Sequence, residues 1–270
     1  MIFRVSPRPL RASSLLPPFR RKGGGQFTGE FMHVALEAIR TAVDNDDLSS
    51  FLAYNDVLCE SEDWPAILEI LRYTTSRQAE RHVFAEIAFR GFARRFEKRE
   101  DAEDVLYRAL EESTDEALIC NLIQTLGVMR SKRIFDVVKR FMSSESDDIR
   151  FKCIISLGWS ESADAIAILQ ERLCHDPMAW LRGMTSTAMR QLFYSNPELK
   201  DSLVPILYEA LISEKDELAA SMIIGSLQTI MKMNFGIRER TSANTYSGNL
   251  ARARLKVKDA MIKQGYSIES

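Results

Sequence analysis

The chain has 270 residues, of which 46% are hydrophobic and 9% aromatic, and its formal net charge is −2 at pH 7. These values are normal for a soluble globular protein, and the absence of an 18-residue apolar run excludes a membrane-spanning helix. The small net charge hides an asymmetry, because residues 1–29 carry six basic residues and no acid, which leaves −8 on the remainder. An acidic body argues against a nucleic-acid groove along the whole chain.

Residues 1–30 differ from the rest of the chain in composition. Four prolines between positions 7 and 18 and three glycines at 23–25 forbid a continuous helix. We predict a disordered, basic segment rich in proline and glycine. Two other interpretations stay open: a targeting segment, although the prolines interrupt the amphipathic helix of a transit peptide, or an upstream artefact with the native start at Met32.

From residue 31 onward the apolar pattern becomes helical. Apolar residues recur at helical spacing over 31–45. Ser61 and Pro65 bracket two carboxylates, a combination that favours the start of a helix. Two further helices are predicted over 76–96 and 101–112.

The centre of the chain repeats itself. Leu126-Gly127 returns as Leu157-Gly158, and the apolar positions 118, 122, 123 and 126 return at 149, 153, 154 and 157, a shift of 31 residues at every position. A period of about 20 to 50 residues is typical of stacked repeat architectures. Each unit has a leading helix and a trailing helix, and the trailing helices are predicted over 131–142, 162–174 and 197–212.

The pattern changes toward the C-terminus. The last link between trailing helices is longer, which places an insertion around 193–197. We predict a last leading helix around Leu218–Leu227, a polar loop over 234–248, and a C-terminal capping helix and tail over 249–270. Its apolar anchors are Leu250, Leu255, Met261 and Ile262.

A helix pair of this length cannot bury its apolar stripe alone, so neighbouring pairs must stack and share it. We therefore predict an all-α fold over 31–233, a right-handed α-solenoid of stacked antiparallel helix pairs of the HEAT/armadillo-like kind.

The repeat units resemble HEAT repeats, and in particular the short HEAT-like type of phycobilisome lyases and bacterial scaffold proteins. In that family an acid precedes an apolar-Arg pair that is followed by small and apolar residues and often Leu-Gly. Residues 147–158, DDIRFKCIISLG, fit closely, whereas 176–192 have Met189-Arg190 in place of Leu-Gly and 114–127 have Ile119 in place of the arginine. The resemblance implies an α-solenoid and no particular chemistry.

Arginines at the starts of leading helices predict a structural role. Arg150 and Arg182 lie beside carboxylates of their own and adjacent repeats, including Asp148 and Asp176. We expect these four residues to form a ladder of ion pairs along the stack.

Signatures of catalysis, cofactors and metals are absent from the sequence. It has no phosphate-binding glycine loop, no nucleophile elbow and no zinc-binding HExxH. Its three histidines and four cysteines do not fall at metal-ligand spacing, and the cysteines suit a reducing compartment. The run Cys174-His175-Asp176 does not suggest catalysis, because adjacent residues in a turn do not face one another. We predict no catalytic residue, no cofactor and no metal.

Candidate partner-binding residues lie mainly on the trailing helices. In HEAT solenoids these helices form the concave side, on which partners commonly bind. Arg133 and Arg140 are seven residues apart and share a helix face. Two tryptophans near repeat junctions are candidate interface anchors, because tryptophan is enriched in hot spots. The full set is Arg108, Arg133, Lys139, Arg140, Arg172, Trp159 and Trp180.

These observations predict a non-enzymatic, cytoplasmic protein-interaction module, such as an adaptor, a scaffold or an immunity-type binder. Two alternatives stay open: an activity on a bound protein resembling that of phycobilin lyases, and nucleic-acid binding through a local basic groove. A protein partner is expected, whereas nucleic acid and membrane are not, and the oligomeric state is left unspecified.

Overall fold

A computed structural model describes residues 29–61, 66, 68–70, 72–73, 100–240 and 245–266. The chain forms two compact units that divide between Met129 and Arg130, and each is described here by itself. The predictions for residues 1–28 and for a helix over 76–96 lie outside the described residues. The prediction of one continuous solenoid over 31–233 stays a prediction.

The first unit contains four fully bounded helices in its described part. They are α1 (Gly29–Asp44), α2 (Leu48–Ser61), α3 (Glu100–Glu112) and α4 (Glu116–Val128). α1 packs against α2, and α3 packs against α4. α4 begins at Asp115, whose carboxylate accepts a hydrogen bond from the Leu118 amide at 2.8 Å, so an otherwise unpaired first-turn amide is satisfied. Leu122, Ile123 and Leu126 are buried on the inner side of α4.

The second unit begins with helices that alternate between two layers. They are α5 (Ile134–Phe141), α6 (Asp147–Trp159), α7 (Ala165–His175), α8 (Ala179–Ser195), α9 (Lys200–Ser213) and α10 (Glu217–Met231). The leading helices α6, α8 and α10 pack side by side, and the trailing helices α7 and α9 pack against each other and against their leading helices. The fold is all-α, and these helices stack as a solenoid within this unit.

Small residues let the leading helices approach closely. A Cβ atom added to Gly158 in α6 would lie 3.0 Å from the Cα and carbonyl oxygen of Ala188 in α8. A Cβ added to Gly183 would lie 3.2 Å from the Cα of Ala219 in α10. Gly158 of the second Leu-Gly therefore occupies a position where even a Cβ atom would press on the backbone of the neighbouring helix.

The insertion predicted around 193–197 has a definite structure. α8 has 17 residues, whereas α4 and α6 each have 13. A 3₁₀ turn over Pro197–Leu199 then leads into α9. The extra residues therefore extend a helix and its connection, and they do not interrupt the stack.

The predicted polar loop over 234–248 is wrong in part. Strands β1 (Arg238–Arg240) and β2 (Thr245–Ser247) form an antiparallel hairpin that packs on α10. Gln228 of α10 fixes its approach, because its Oε1 accepts hydrogen bonds from the Phe235 and Ile237 amides at 2.9 and 3.1 Å. Phe235 and Ile237 are themselves buried. Two apolar residues in a polar stretch were the signal for this contact.

The last helix, α11 (Leu250–Lys263), packs against α10. Asn249 begins it, with a side chain that accepts a hydrogen bond from the Arg252 amide at 2.9 Å. Two of its four predicted anchors are wrong: Met261 is buried, whereas Leu255 and Ile262 are 62% and 58% exposed. The inward face is instead formed by Ala253, Val257, Ala260 and Met261.

Candidate functional site

Arg150 lies near the start of α6 with only 6% of its side chain exposed. Its Nε donates to Asp176 Oδ2 at 3.0 Å, and its Nη1 donates to the carbonyl oxygens of Ser144 and Glu145 at 2.8 and 3.0 Å. Asp147 also accepts a hydrogen bond from this guanidinium. Burial opposes the positive charge, but the two carboxylates outweigh it and raise the pKa of Arg150. Arg150 therefore joins two neighbouring repeats.

The next link runs from α8 to the start of α10. Arg182 donates from Nε to Glu214 Oε2 at 2.7 Å and from Nη2 to Glu214 Oε1 at 2.8 Å. Its Nη1 donates to the main-chain oxygen of Asp176 at 2.9 Å. The bond from Arg182 is the main reason that the pKa of Glu214 lies below its usual value. The guanidinium groups of Arg150 and Arg182 are thus connected through Asp176, which is buried.

Three of the four residues expected in the ladder come together, namely Arg150, Asp176 and Arg182. The fourth, Asp148, is exposed at the start of α6, and the helix supplies Asp147 to Arg150. Glu214, which the sequence analysis did not name, takes the role at the following junction. It stands just before the N-cap of α10, as Asp176 stands before α8, and this placement was the available signal.

A third arginine–carboxylate pair lies at the C-terminal end of the stack. Arg190 of α8, with 8% of its side chain exposed, donates from Nη1 to Glu239 Oε2 at 2.8 Å. Burial disfavours the Glu239 carboxylate, but Arg190 more than compensates and the pKa of Glu239 is lowered. Tyr246, the cross-strand partner of Glu239, is half-buried, and this burial together with the Glu239 charge raises its pKa to about 12. These three residues attach the hairpin to the stack.

The Cys174-His175-Asp176 run divides between the protein interior and the surface. Asp176 is buried and bonded to Arg150, whereas Cys174 and His175 are exposed. Burial and the nearby Glu171 and Glu209 carboxylates raise the pKa of the Cys174 thiol. A thiol with a raised pKa is a poorer nucleophile near neutral pH, because less of it is thiolate. Within the described part of the chain, no group of His, Cys, Asp or Glu side chains is arranged to hold a metal.

The basic candidates on α5 are exposed. Arg133 is the residue at which α5 begins, and Lys139 and Arg140 lie in its last turn. Lys139 is 75% exposed and lies 3.8 Å from Asp136, while the Arg140 guanidinium lies 5.0 Å from the centre of the Phe141 ring. We call Arg133, Lys139 and Arg140 the α5 basic strip. All three of its side chains are exposed to solvent.

The remaining candidates have different surroundings. Arg108 is exposed on α3, in the first unit. Arg172 is partly buried and lies 4.0 Å from the Asp176 carboxylate, so it contributes to the ladder. Trp180 packs on Phe151 with ring centroids 4.9 Å apart, and Trp159 is half-buried at the end of α6. Both tryptophans leave part of their surface accessible.

A cavity of about 530 Å³ lies in the first unit between α1 and the turn before α4. Arg40 and Arg72 line it together with Glu69, Glu112 and Asp115. Arg40 already pairs with Glu37 and Glu69, so its charge is compensated within the protein. The lining therefore carries two positive and three negative side chains, a formal net charge of −1.

The sequence analysis missed the combination of groups on the outer face of α11. The sequence predicted that Leu255 and Ile262 are buried anchors of this helix. In the structure both aliphatic side chains project outward between exposed arginine and lysine residues. The sequence did contain an indication of the buried face, because Ala253, Val257 and Ala260 form a second apolar stripe, made of smaller residues, and this stripe faces inward.

Comparison with known families identifies one part of this stack. A family model described as HEAT repeats matches residues 102–190. No curated protein matches the chain. No helix among the residues described is both long and apolar enough to cross a membrane. The finer resemblance to the phycobilisome-lyase type stays a prediction. The match runs from the start of α3 through most of α8, so this third of the chain is similar to HEAT repeats.

Proposed function

We propose that the chain is a non-enzymatic protein-interaction module that binds an acidic partner through the α5 basic strip. The observation that supports this proposal is the contrast between two sets of arginines. Arg150 and Arg182 are largely buried beside carboxylates of the fold, whereas Arg133 at the N-terminus of α5 and Arg140 in its last turn are exposed to solvent. A charged face held on a packed helix offers a preformed surface to a partner.

The family match supports this class of function, since HEAT repeats commonly mediate protein interactions. Stacked helix pairs share one apolar core and leave both outer faces free for recognition. The repeat fold alone does not select a partner. Selection must come from exposed side chains such as those of the strip, whose charges steer association and exclude partners with like charge.

The test is to isolate a partner and then to change the strip. The full chain is used as bait at moderate salt, and a protein recovered at a fixed stoichiometry is purified and titrated calorimetrically. We expect the double variant Arg133→Glu/Arg140→Glu to weaken binding at least 10-fold, mostly through slower association. Binding of the unmodified chain should weaken as salt concentration rises.

A matched control carries the same change in charge elsewhere on the second unit. Lys200→Glu/Lys232→Glu alters one residue at the start of α9 and one just after α10. This control should bind within about 2-fold of the unmodified chain. Equal weakening by both variants would show that only the net charge matters and would refute the strip as a binding site. Turnover of a substrate by the purified chain would refute the non-enzymatic part of the proposal.

An adaptor, a scaffold and a binder that occludes an enzyme differ in what the partner does when bound. An adaptor or scaffold leaves the partner active and joins it to a second protein. An occluding binder inhibits a partner enzyme in proportion to the fraction bound. Measuring partner activity across the same titration distinguishes these roles.

A further inference from the structure

We propose that the outer face of α11 is a second docking surface, which binds an acidic amphipathic helix of a partner protein. The inference starts from the orientation of α11. Ala253, Val257 and Ala260 are buried against the stack, and Arg254 donates to the main-chain oxygens of Leu211 and Glu214. The helix therefore cannot rotate, and the opposite face is fixed toward solvent.

That outward face contains two large aliphatic side chains. Leu255 and Ile262 are 62% and 58% exposed. They are seven residues apart, which is about two helical turns or roughly 10.5 Å along the axis. This spacing equals one heptad, the repeat at which apolar side chains of two packed helices meet.

Basic residues surround this pair. Those exposed on α11 are Arg252, Lys256, Lys258 and Lys263, and the one acidic residue of the helix is Asp259. Arg238 and Arg240 are also exposed, on β1. The Lys256 Nζ would lie 3.8 Å from a Cβ added to Gly236, two residues before β1.

The chemistry of this surface identifies the kind of partner. The aliphatic pair requires an apolar stripe, and the surrounding cations require carboxylates on both sides of that stripe. An amphipathic helix with an aliphatic residue at each heptad and flanking Asp or Glu residues meets both requirements. We name Leu255, Ile262 and the four exposed basic residues of α11 the α11 surface.

Two other ligands with negative charge fit less well. A nucleic-acid backbone would neutralise the cations but would leave the aliphatic pair without an apolar partner. A lipid surface would need a broad apolar face, whereas the larger apolar stripe of α11 is buried in the fold. The protein helix uses both features of the surface.

The experiment selects helical peptides from an unbiased display library with the full chain as target. Counter-selection uses Leu255→Ser/Ile262→Ser, a change of two exposed side chains that should leave the fold intact by circular dichroism. We expect the enriched peptides to carry aliphatic residues at heptad spacing with flanking acids. Synthesised as free peptides, they should bind the double variant at least 10-fold more weakly than the unmodified chain.

Charge reversal separates this surface from the strip of the proposed function. Lys256→Glu/Lys263→Glu should weaken the selected peptides at least 10-fold, whereas Arg133→Glu/Arg140→Glu should leave their affinity within 2-fold. The two surfaces share no residue, so either can fail alone.

Three results would overturn the inference. They are enriched peptides without excess acid, equal affinity for the chain and its aliphatic variant, and tighter binding to an alternative ligand that depends on the same residues. The alternative ligands are phosphatidylserine vesicles and a double-stranded DNA fragment, each titrated against the unmodified chain and both α11 variants.

Discussion

The repeat position that is glycine in α6 is taken by larger polar residues toward the C-terminal end of the stack. Inside, Gly158 of α6 permits close contact with Ala188 of α8. The equivalent positions in the next two leading helices are Arg190 and Gln228, and both side chains bind the segment that forms the hairpin. In the interior, α6 and α8 come into close contact because glycine has no side chain. At the C-terminal end, long polar side chains reach the hairpin segment and bind it.

This difference explains why the repeat pattern weakens before the stack ends. α6 must stay small at this position, because the α8 atoms that face Gly158 include the backbone of Ala188. A leading helix that meets the hairpin needs hydrogen-bonding groups for a strand and its connection. The loss of Leu-Gly at Met189-Arg190 therefore marks the approach of the terminal cap and does not indicate a degenerate repeat.

The largest expected effect comes from filling the interior junction. Gly158→Val places branched carbon atoms where a single Cβ would already lie 3.0 Å from the backbone of Ala188. Backbone of a neighbouring helix yields only if the helices separate, so we expect the free energy of unfolding to fall by about 3 kcal/mol. Urea unfolding followed by circular dichroism measures the change. A loss below roughly 0.5 kcal/mol would show that this close approach does not limit the packing.

The end junction should respond less strongly to loss of its ion pair. Glu239→Gln leaves the Arg190 guanidinium buried beside a neutral amide, and removing one partner of a buried pair is costly. Because 27% of the Glu239 side chain is exposed, water partly replaces it and we expect a loss of about 2 kcal/mol. Arg190→Met/Glu239→Gln, which removes both charges, should recover part of this loss. If the double variant recovers none of the lost stability, the uncompensated charge of Arg190 is not the cause of the loss.

The stack was predictable because its determinants are local and periodic. The 31-residue shift indicated paired helices, and the acids before leading helices indicated where Arg150 and Arg182 find partners. The hairpin was not predictable in the same way, because three-residue strands provide no periodic signal. Its position depends on Arg190 and Glu239, which are 49 residues apart in the sequence.

The candidate binding residues were predicted less well than the stack. Arg133 and Arg140 are exposed at the two ends of α5, and their role in binding stays a prediction. Arg172 was taken for a surface group, but it lies beside a buried carboxylate contributed by the following turn. The exposure of Leu255 could not be inferred from its hydrophobicity, because the rotation of α11 depends on which of two apolar stripes fits α10.

The pH dependence of the end junction tests whether Tyr246 is buried near charge. Its pKa in the folded state is about 12, above the ordinary value of 10.0. As pH rises, the Tyr246 hydroxyl therefore loses its proton in the unfolded chain before it does so in the folded one. The contribution of Tyr246 to the free energy of unfolding is fully present below pH 10 and is lost as pH rises toward 12. Between pH 9 and 11 the unmodified chain should lose about 1 kcal/mol more than Tyr246→Phe. Urea unfolding at both pH values measures the difference, and parallel losses would place Tyr246 in a solvent-like environment.

The smallest expected effect is a stabilisation, opposite in sign to the effect of Gly158→Val. A Cβ added to Gly225 of α10 would meet Tyr246 Cε1 at 3.5 Å, an ordinary contact, whereas one added to Gly158 would meet backbone at 3.0 Å. Alanine is a better helix former than glycine, so Gly225→Ala should stabilise the fold by about 0.5 kcal/mol. Gly158→Ala gains the same helix propensity but must displace Ala188, so it should not be stabilising. Equal stabilisation by both substitutions would mean that α6 and α8 can separate without cost, and the glycine of the repeat would then reflect something other than close packing.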